Sequence, residues 1–167
     1  MNEIIRTRRS VRRYEGRAVE PEKIETLLHA AMQAPSAKNQ QPWEFIVVTD
    51  KGTRETISKM SPFAGFAADA PAVIVTLCDL DRADQFNWWV SDMAACTENI
   101  LLQAVEEGLG ACWCGFYPYA DRVEPMKELF SLPRNIMPFS VVTLGYPARE
   151  PKVVDRFEPA RVHYEKY

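Results

Sequence analysis

The chain has 167 residues and a formal net charge of −3 at neutral pH, with 47% hydrophobic and 26% charged residues. That length suits one compact domain with a sizeable core. The acidic balance excludes a global attraction to nucleic acid or anionic membrane, so neither is expected as a partner and any basic site must be local.

No apolar run approaches the ~20 residues needed to span a bilayer. The start, Met1-Asn2-Glu3-Ile4-Ile5-Arg6, lacks the apolar core and small-residue cleavage site of a signal peptide. Cytoplasmic residence is therefore expected, and Cys78, Cys96, Cys112 and Cys114 are read as reduced core thiols.

With no internal repeat, low-complexity segment or linker, residues 1–167 read as a single domain. Asn2 can cap a short helix from Glu3 to about Arg8. Val11 and Tyr14 then suggest an extended exit. Pro21 suits the first turn of a second helix, whose apolar face is Ile24, Leu27, Leu28 and Ala31. A polar loop follows from Ala34 to Pro42. Trp43 to Thr49 and Ala72 to Cys78 read as strands apolar enough to be buried on both faces. Between them lie a helix from Lys51 to Met60 and a loop from Ser61 to Ala70, rich in small residues and Phe. Asp81 to Phe86 forms another connection.

A long helix is predicted from about Asn87 to Glu107, with Gly108 ending it. Its apolar residues fall on more than one stripe, and a domain this small rarely covers such a helix alone. Part of it is expected against a second subunit; the alternative is a central core helix in a monomer. Ala111 to Phe116 reads as a third strand, Asp121 to Phe130 as a helix, and Phe139 to Leu144 as a fourth strand. The polar, Pro-rich tail after Gly145 is expected to wrap over a neighbour. These elements point to an α+β fold, a mixed sheet with helices on both faces.

Three segments could carry chemistry. Five arginines and Ser10 lie between Arg6 and Arg13. Guanidinium forks suit phosphate oxygens, and free backbone N–H groups can complete such a shell; the plainer reading is a solvated charged face. Ala34 to Trp43 is dense in amides and hydroxyls, which suit the edge of a heterocycle, although it would also serve as an ordinary connection. Gly108 to Gly115 has the wrong glycine spacing for a dinucleotide fingerprint and opens a strand instead of a helix. It reads as a helix cap feeding a strand whose Gly115 can offer bare backbone to a ligand. Cys112 and Cys114 are expected to face opposite sides of that strand, which argues against joint chelation; with only His29 and His163 in the chain, no metal site is expected. No hydrolase, Walker or zincin motif occurs. If the chain is an enzyme, an organic cofactor must do the hard chemistry.

In this order, the segments resemble the nitroreductase family of FMN-dependent, NAD(P)H-using homodimers. The resemblance rests on Arg8-Arg9-Ser10-Val11-Arg12-Arg13-Tyr14, on Ala34-Pro35-Ser36-Ala37-Lys38-Asn39-Gln40-Gln41-Pro42-Trp43-Glu44-Phe45 and on Gly108-Leu109-Gly110-Ala111-Cys112-Trp113-Cys114-Gly115. Within the long helix, Asp92-Met93-Ala94-Ala95 and Asn99-Ile100-Leu101-Leu102-Gln103-Ala104 add to it. The resemblance implies an α+β sandwich with FMN at the dimer interface. It implies that Arg8, Ser10 and Arg12 contact the phosphate and the pyrimidine side of the ring, with Arg9 acting through its backbone. Pro35, Ser36, Ala37, Asn39 and Gln41 would reach the FMN of the other subunit. Trp113, Cys114 and Gly115 would line the ring, and Arg156, or else Arg161, would complete the phosphate site. The implied activity is ping-pong hydride transfer from NADH or NADPH through flavin N5 to a nitroaromatic, a quinone or a similar small acceptor. A flavin-binding storage or sensory protein without turnover is the alternative. The chain is shorter than many members, leaving little room for the insertions that shape acceptor pockets.

Overall fold

The computed structural model describes residues 1–83 and 86–167. Four strands, β1 (Trp43–Val48), β2 (Ala72–Asp79), β3 (Gly110–Gly115) and β4 (Ile136–Gly145), form one sheet in the order β1-β2-β4-β3. Its inner strands alternate two apolar faces. Ala72, Ile74, Cys78, Val142 and Leu144 turn to one side, where α2 (Pro21–Met32) contributes Leu27 and Ala31 and α4 (Trp89–Glu106) contributes Met93, Cys96 and Ile100. Val73, Val75, Leu77 and Val141 turn to the other, against Ile57 of α3 (Lys51–Lys59), Ala64 and Ala67 of the 61–70 segment, and Met126 of α5 (Ala120–Leu129). Helices on both faces follow from strands that are apolar throughout.

The expected mixed sheet is not found. All three ladders are antiparallel, and the parallel pairing among the described residues is the isolated Ser10–Ala111 bridge. The reason is the path of the chain: α4 carries it from β2 past one strand position to β3, and β4 then returns between them.

Local signals account for the element ends. Asn2 Oδ1 accepts from Ile4 N at 2.8 Å and starts α1 (Glu3–Thr7), and Pro21 opens α2. Gly108, at φ 71°, ends α4 in a Schellman arrangement: its N–H donates to Val105 O at 3.0 Å, and Leu109 N–H to Ala104 O at 2.7 Å. β4 begins three residues earlier than the predicted Phe139. The register shifts between Thr76 and Leu77, which face Ser140 and Pro138. This irregularity lets a central strand tolerate a proline that cannot donate to the ladder.

The expected Asp81–Phe86 connection includes residues 84 and 85, which lie outside the described residues. Among the described residues, no helix is long and apolar enough to cross a membrane. Residues 152–167 are exposed.

Candidate cofactor site

β3 is an edge strand, and the basic run crosses its open side. Val11 N–H donates to Ala111 O at 2.9 Å, beside the Ser10–Ala111 bridge. The run is pinned further by Tyr14, whose hydroxyl meets Val11 O at 2.5 Å and Thr143 Oγ1 at 2.6 Å. Gly110 is required by this approach: a Cβ there would lie 2.7 Å from the Val11 side chain. Glycine at 110 thus lets the arginine run lie directly on the strand.

A cavity of about 580 Å³ opens beside this crossing. Its floor is Cys112 to Gly115 of β3, one wall is Pro62, Phe63, Gly65 and Phe66, and Arg12, Tyr119 and Arg122 complete it. Arg12 stands over the Phe66 ring, 5.7 Å from its centroid. A Cβ added at Gly65 or Gly115 would meet nothing within 4 Å, so the backbone at both is bare toward open space. A planar ligand can approach such backbone closely, and a volume in this range is typical of small-molecule sites. The donor set, a guanidinium and bare peptide over aromatic walls, fits a flat anionic heterocycle such as FMN.

Cys112 and Cys114 do not face opposite sides, as expected from the sequence. They are two residues apart on a pleated strand and therefore share a face. Both line the cavity, where Cys112 Sγ donates to Trp113 O at 3.9 Å and Cys114 Sγ to Phe63 O at 3.6 Å. The adjoining Cys114 thiol, with Arg12, Ser10 and Arg8, lowers the pKa of the Cys112 thiol against the opposing effect of burial. Cys112 and burial both push Cys114 upward.

The other expected residues are distributed around this centre. Arg8 pairs with Glu98 of α4 at 3.2 Å. It lines a separate pocket with Arg6, Arg9, Glu98 and Arg156. Arg9 donates from Nε to Lys152 O at 3.0 Å and from Nη2 to Val154 O at 2.8 Å, tying the start of the tail to the run. Arg161 pairs with Glu158 in the exposed tail, away from both pockets.

The amide-rich loop lines neither pocket within this chain. It is nevertheless tightly formed. Lys38, Asn39 and Gln41 adopt positive φ, Gln41 N donates to Ser36 Oγ at 3.0 Å, and Gln41 Nε2 donates to Asn39 Oδ1 at 3.0 Å. Ala37 N donates to Asp92 Oδ1 at 2.9 Å. Asp92 is 5% exposed, and its Oδ2 has no hydrogen-bond partner among the described residues. Asp92 holds this loop against α4, a role that sequence reasoning missed. So were Phe63, Phe66, Cys112, Tyr119 and Arg122 as cavity residues; the available hint was two phenylalanines flanking Gly65 in a small-residue loop.

A model described as the nitroreductase family matches residues 5–64 and 61–146. The chain belongs to the nitroreductase family. It is 46% identical over 165 residues to a provisionally named NADH dehydrogenase/NAD(P)H nitroreductase of Methanothermobacter thermautotrophicus, spanning 99% of this chain and 86% of that protein. A provisionally named NADH oxidase from Clostridium acetobutylicum aligns with a TM-score of 0.96 at 51% identity, over 99% of this chain and 100% of that one. A provisionally named nitroreductase from Desulfovibrio desulfuricans, solved in complex with FMN, aligns with a TM-score of 0.85 at 25% identity, over 100% of this chain and 99% of that one. The nitroreductase-family chain described here is accordingly an α+β oxidoreductase.

Proposed function

We propose that this nitroreductase-family enzyme holds FMN in the cavity over β3 and carries reducing equivalents from NADH or NADPH to a small acceptor such as a nitroaromatic or a quinone. The observation that carries the reading is the crossing of the basic run over β3, which joins Arg12 to a cavity floored by Cys112–Gly115. FMN, when bound, supplies reversible hydride acceptance and donation at its ring.

The protein residues hold and tune that group. Arg12 stabilises negative charge that develops on the pyrimidine side during reduction, favouring two-electron over one-electron chemistry. Bare backbone at Gly115 and the neighbouring Trp113 and Cys114 support the ring. Ser10, Arg8 and the backbone of Arg9 take the phosphate, with Arg156 as the tail residue placed beside Arg8 and Arg161 as the second choice. Pro35, Ser36, Ala37, Asn39 and Gln41, held by Asp92, serve the site of a second subunit in a homodimer. This division is supported by the loop's absence from its own chain's cavity. The tail wraps that partner. Donor and acceptor occupy the same slot in turn, and the proton that must accompany each hydride to the acceptor comes from solvent at the open cavity mouth.

The test is reconstitution. Stripped protein should take up FMN, with quenching of free flavin fluorescence, at about one FMN per chain. Failure to bind FMN would overturn the proposal. Cofactor uptake without reduction by either nicotinamide would favour a storage or sensory protein.

A further inference from the structure

Arg122 has no task in the proposed handling of FMN, yet its guanidinium is held in place at the cavity mouth. Nη1 donates to Gly115 O at 2.9 Å. The guanidinium carbon lies 4.1 Å from the centroid of the Tyr119 ring and 5.7 Å from that of Phe63. Both rings are largely uncovered, Tyr119 at 53% and Phe63 at 70% exposure. Large aromatic faces left open at a cavity rim, with a cation fixed between them, form a surface for a flat ligand bearing negative charge.

The charge distribution supports this. Arg12 and Arg122 are the charged side chains among the described residues lining the cavity, and no carboxylate lines it. Among the described residues, Arg122 has no ion-pair partner and its buried Nε makes no hydrogen bond. Arg12 lies toward Cys112 and Phe66, and Arg122 toward Gly115 and Phe63, so about 10 Å of strand separates the two ends of the floor. One cation serves the cofactor in the proposed reading; the other remains for whatever enters after it.

We propose that Arg122 is a specificity-determining residue, forming an anion subsite that selects aromatic acceptors carrying a carboxylate. This rests on the reading of the cavity as the FMN site. A carboxylate on the acceptor ring meets the guanidinium while the ring lies against Tyr119 and Phe63. The selectivity comes from charge-assisted hydrogen bonding that an uncharged analogue cannot make.

The test uses the FMN-loaded protein, Arg122→Gln and Arg122→Lys. Turnover is compared for 4-nitrobenzoate and 4-nitrobenzyl alcohol, and binding of the non-reducible pair benzoate and benzyl alcohol is followed by calorimetry. Arg122→Gln should lose about tenfold or more in kcat/KM for 4-nitrobenzoate and in benzoate affinity, with both alcohols within about twofold of wild type. Arg122→Lys should recover part of the loss, because charge returns without the planar fork. Equal losses for acid and alcohol, or none for either, would overturn the proposal. Visible flavin absorbance after desalting reports separately on FMN. Protein that binds no FMN refutes the cofactor reading, while benzoate calorimetry on that colourless protein still decides whether Arg122 selects the anion.

Discussion

Gly110→Ala probes the contact on which the site is built. The added Cβ would stand 2.7 Å from Val11 Cβ and Cγ1 and 2.8 Å from Cγ2. Carbon atoms rest at about 3.5–4.0 Å, so Val11 must retreat by about 1 Å. Side-chain rotation cannot relieve this, because Cβ itself is one of the close atoms. The Val11 N–H···Ala111 O bond, 2.9 Å in the native chain, would stretch beyond hydrogen-bonding range. Overpacking costs about 1–3 kcal/mol and the lost bond about 0.5–1.5, giving about 2–4 kcal/mol in all. For a chain of this length that lowers Tm by roughly 4–16 °C. Ser10 and Arg12 move with the run, so FMN affinity should fall about tenfold or more. Thermal denaturation and flavin fluorescence titration measure the two effects. Val11→Gly in the Gly110→Ala background removes all three clashing atoms and should restore the spacing, giving a coupling energy of about 2 kcal/mol in the double-mutant cycle. Wild-type Tm and FMN affinity in Gly110→Ala, or strictly additive effects, would refute this reasoning.

Arg12→Ala should weaken FMN about ten- to hundredfold and slow flavin reduction, while leaving Tm of the stripped protein nearly unchanged; titration and stopped-flow absorbance check this. Asp92→Ala removes the acceptor for Ala37 N and should destabilise by about 1.5–3 kcal/mol, with faster hydrogen exchange at Ala37; unchanged exchange would remove Asp92 from its positioning role. Ala95→Glu places a charge on a half-buried position of α4 and should yield monomers that lose FMN; sedimentation showing an FMN-holding dimer would contradict the shared site. Burial pushes the thiols of Cys78 and Cys96 up to about 12 in the folded chain. Their stabilisation is therefore complete below the unfolded thiol pKa of about 8.5 and is lost as pH rises toward 12, at about 1.4 kcal/mol per pH unit for each thiol. Chemical denaturation between pH 8 and about 11 should show that slope, and it should flatten in Cys78→Ala/Cys96→Ala.

Elements set by near-neighbour chemistry were legible. The Asn2 cap, Pro21 at a helix start, Gly108 at a helix end and four apolar strands follow from local rules and are present. What depended on distant partners was not. The start of β4 at Ile136 is one such feature: Pro138 fits within a central strand only because the pairing across β2 is irregular there. The sheet's direction depended on where β4 inserts, and strand order leaves no mark on any single segment. Cys112 and Cys114 share a face by simple strand alternation, so that expectation misjudged the pleat. The basic run, amide-rich loop and Gly108–Gly115 segment were identified as candidates. Their setting was hidden: Gly110 makes room for Val11, Asp92 reaches across to Ala37, and Arg122 approaches Gly115. Each is a contact between residues far apart in the chain, which composition and periodicity do not record.

The central claim is that the cavity over β3 holds a flavin that the nicotinamides reduce and a small acceptor reoxidises. Anaerobic titration of the FMN-loaded protein with NADH and with NADPH, followed by addition of a nitroaromatic or a quinone, tests it most directly. The account predicts bleaching of the visible flavin bands at about one equivalent of at least one nicotinamide per FMN, then recovery at the rate of acceptor consumption. Flavin that stays oxidised under excess of both nicotinamides, or stays reduced in the presence of every acceptor, would contradict it.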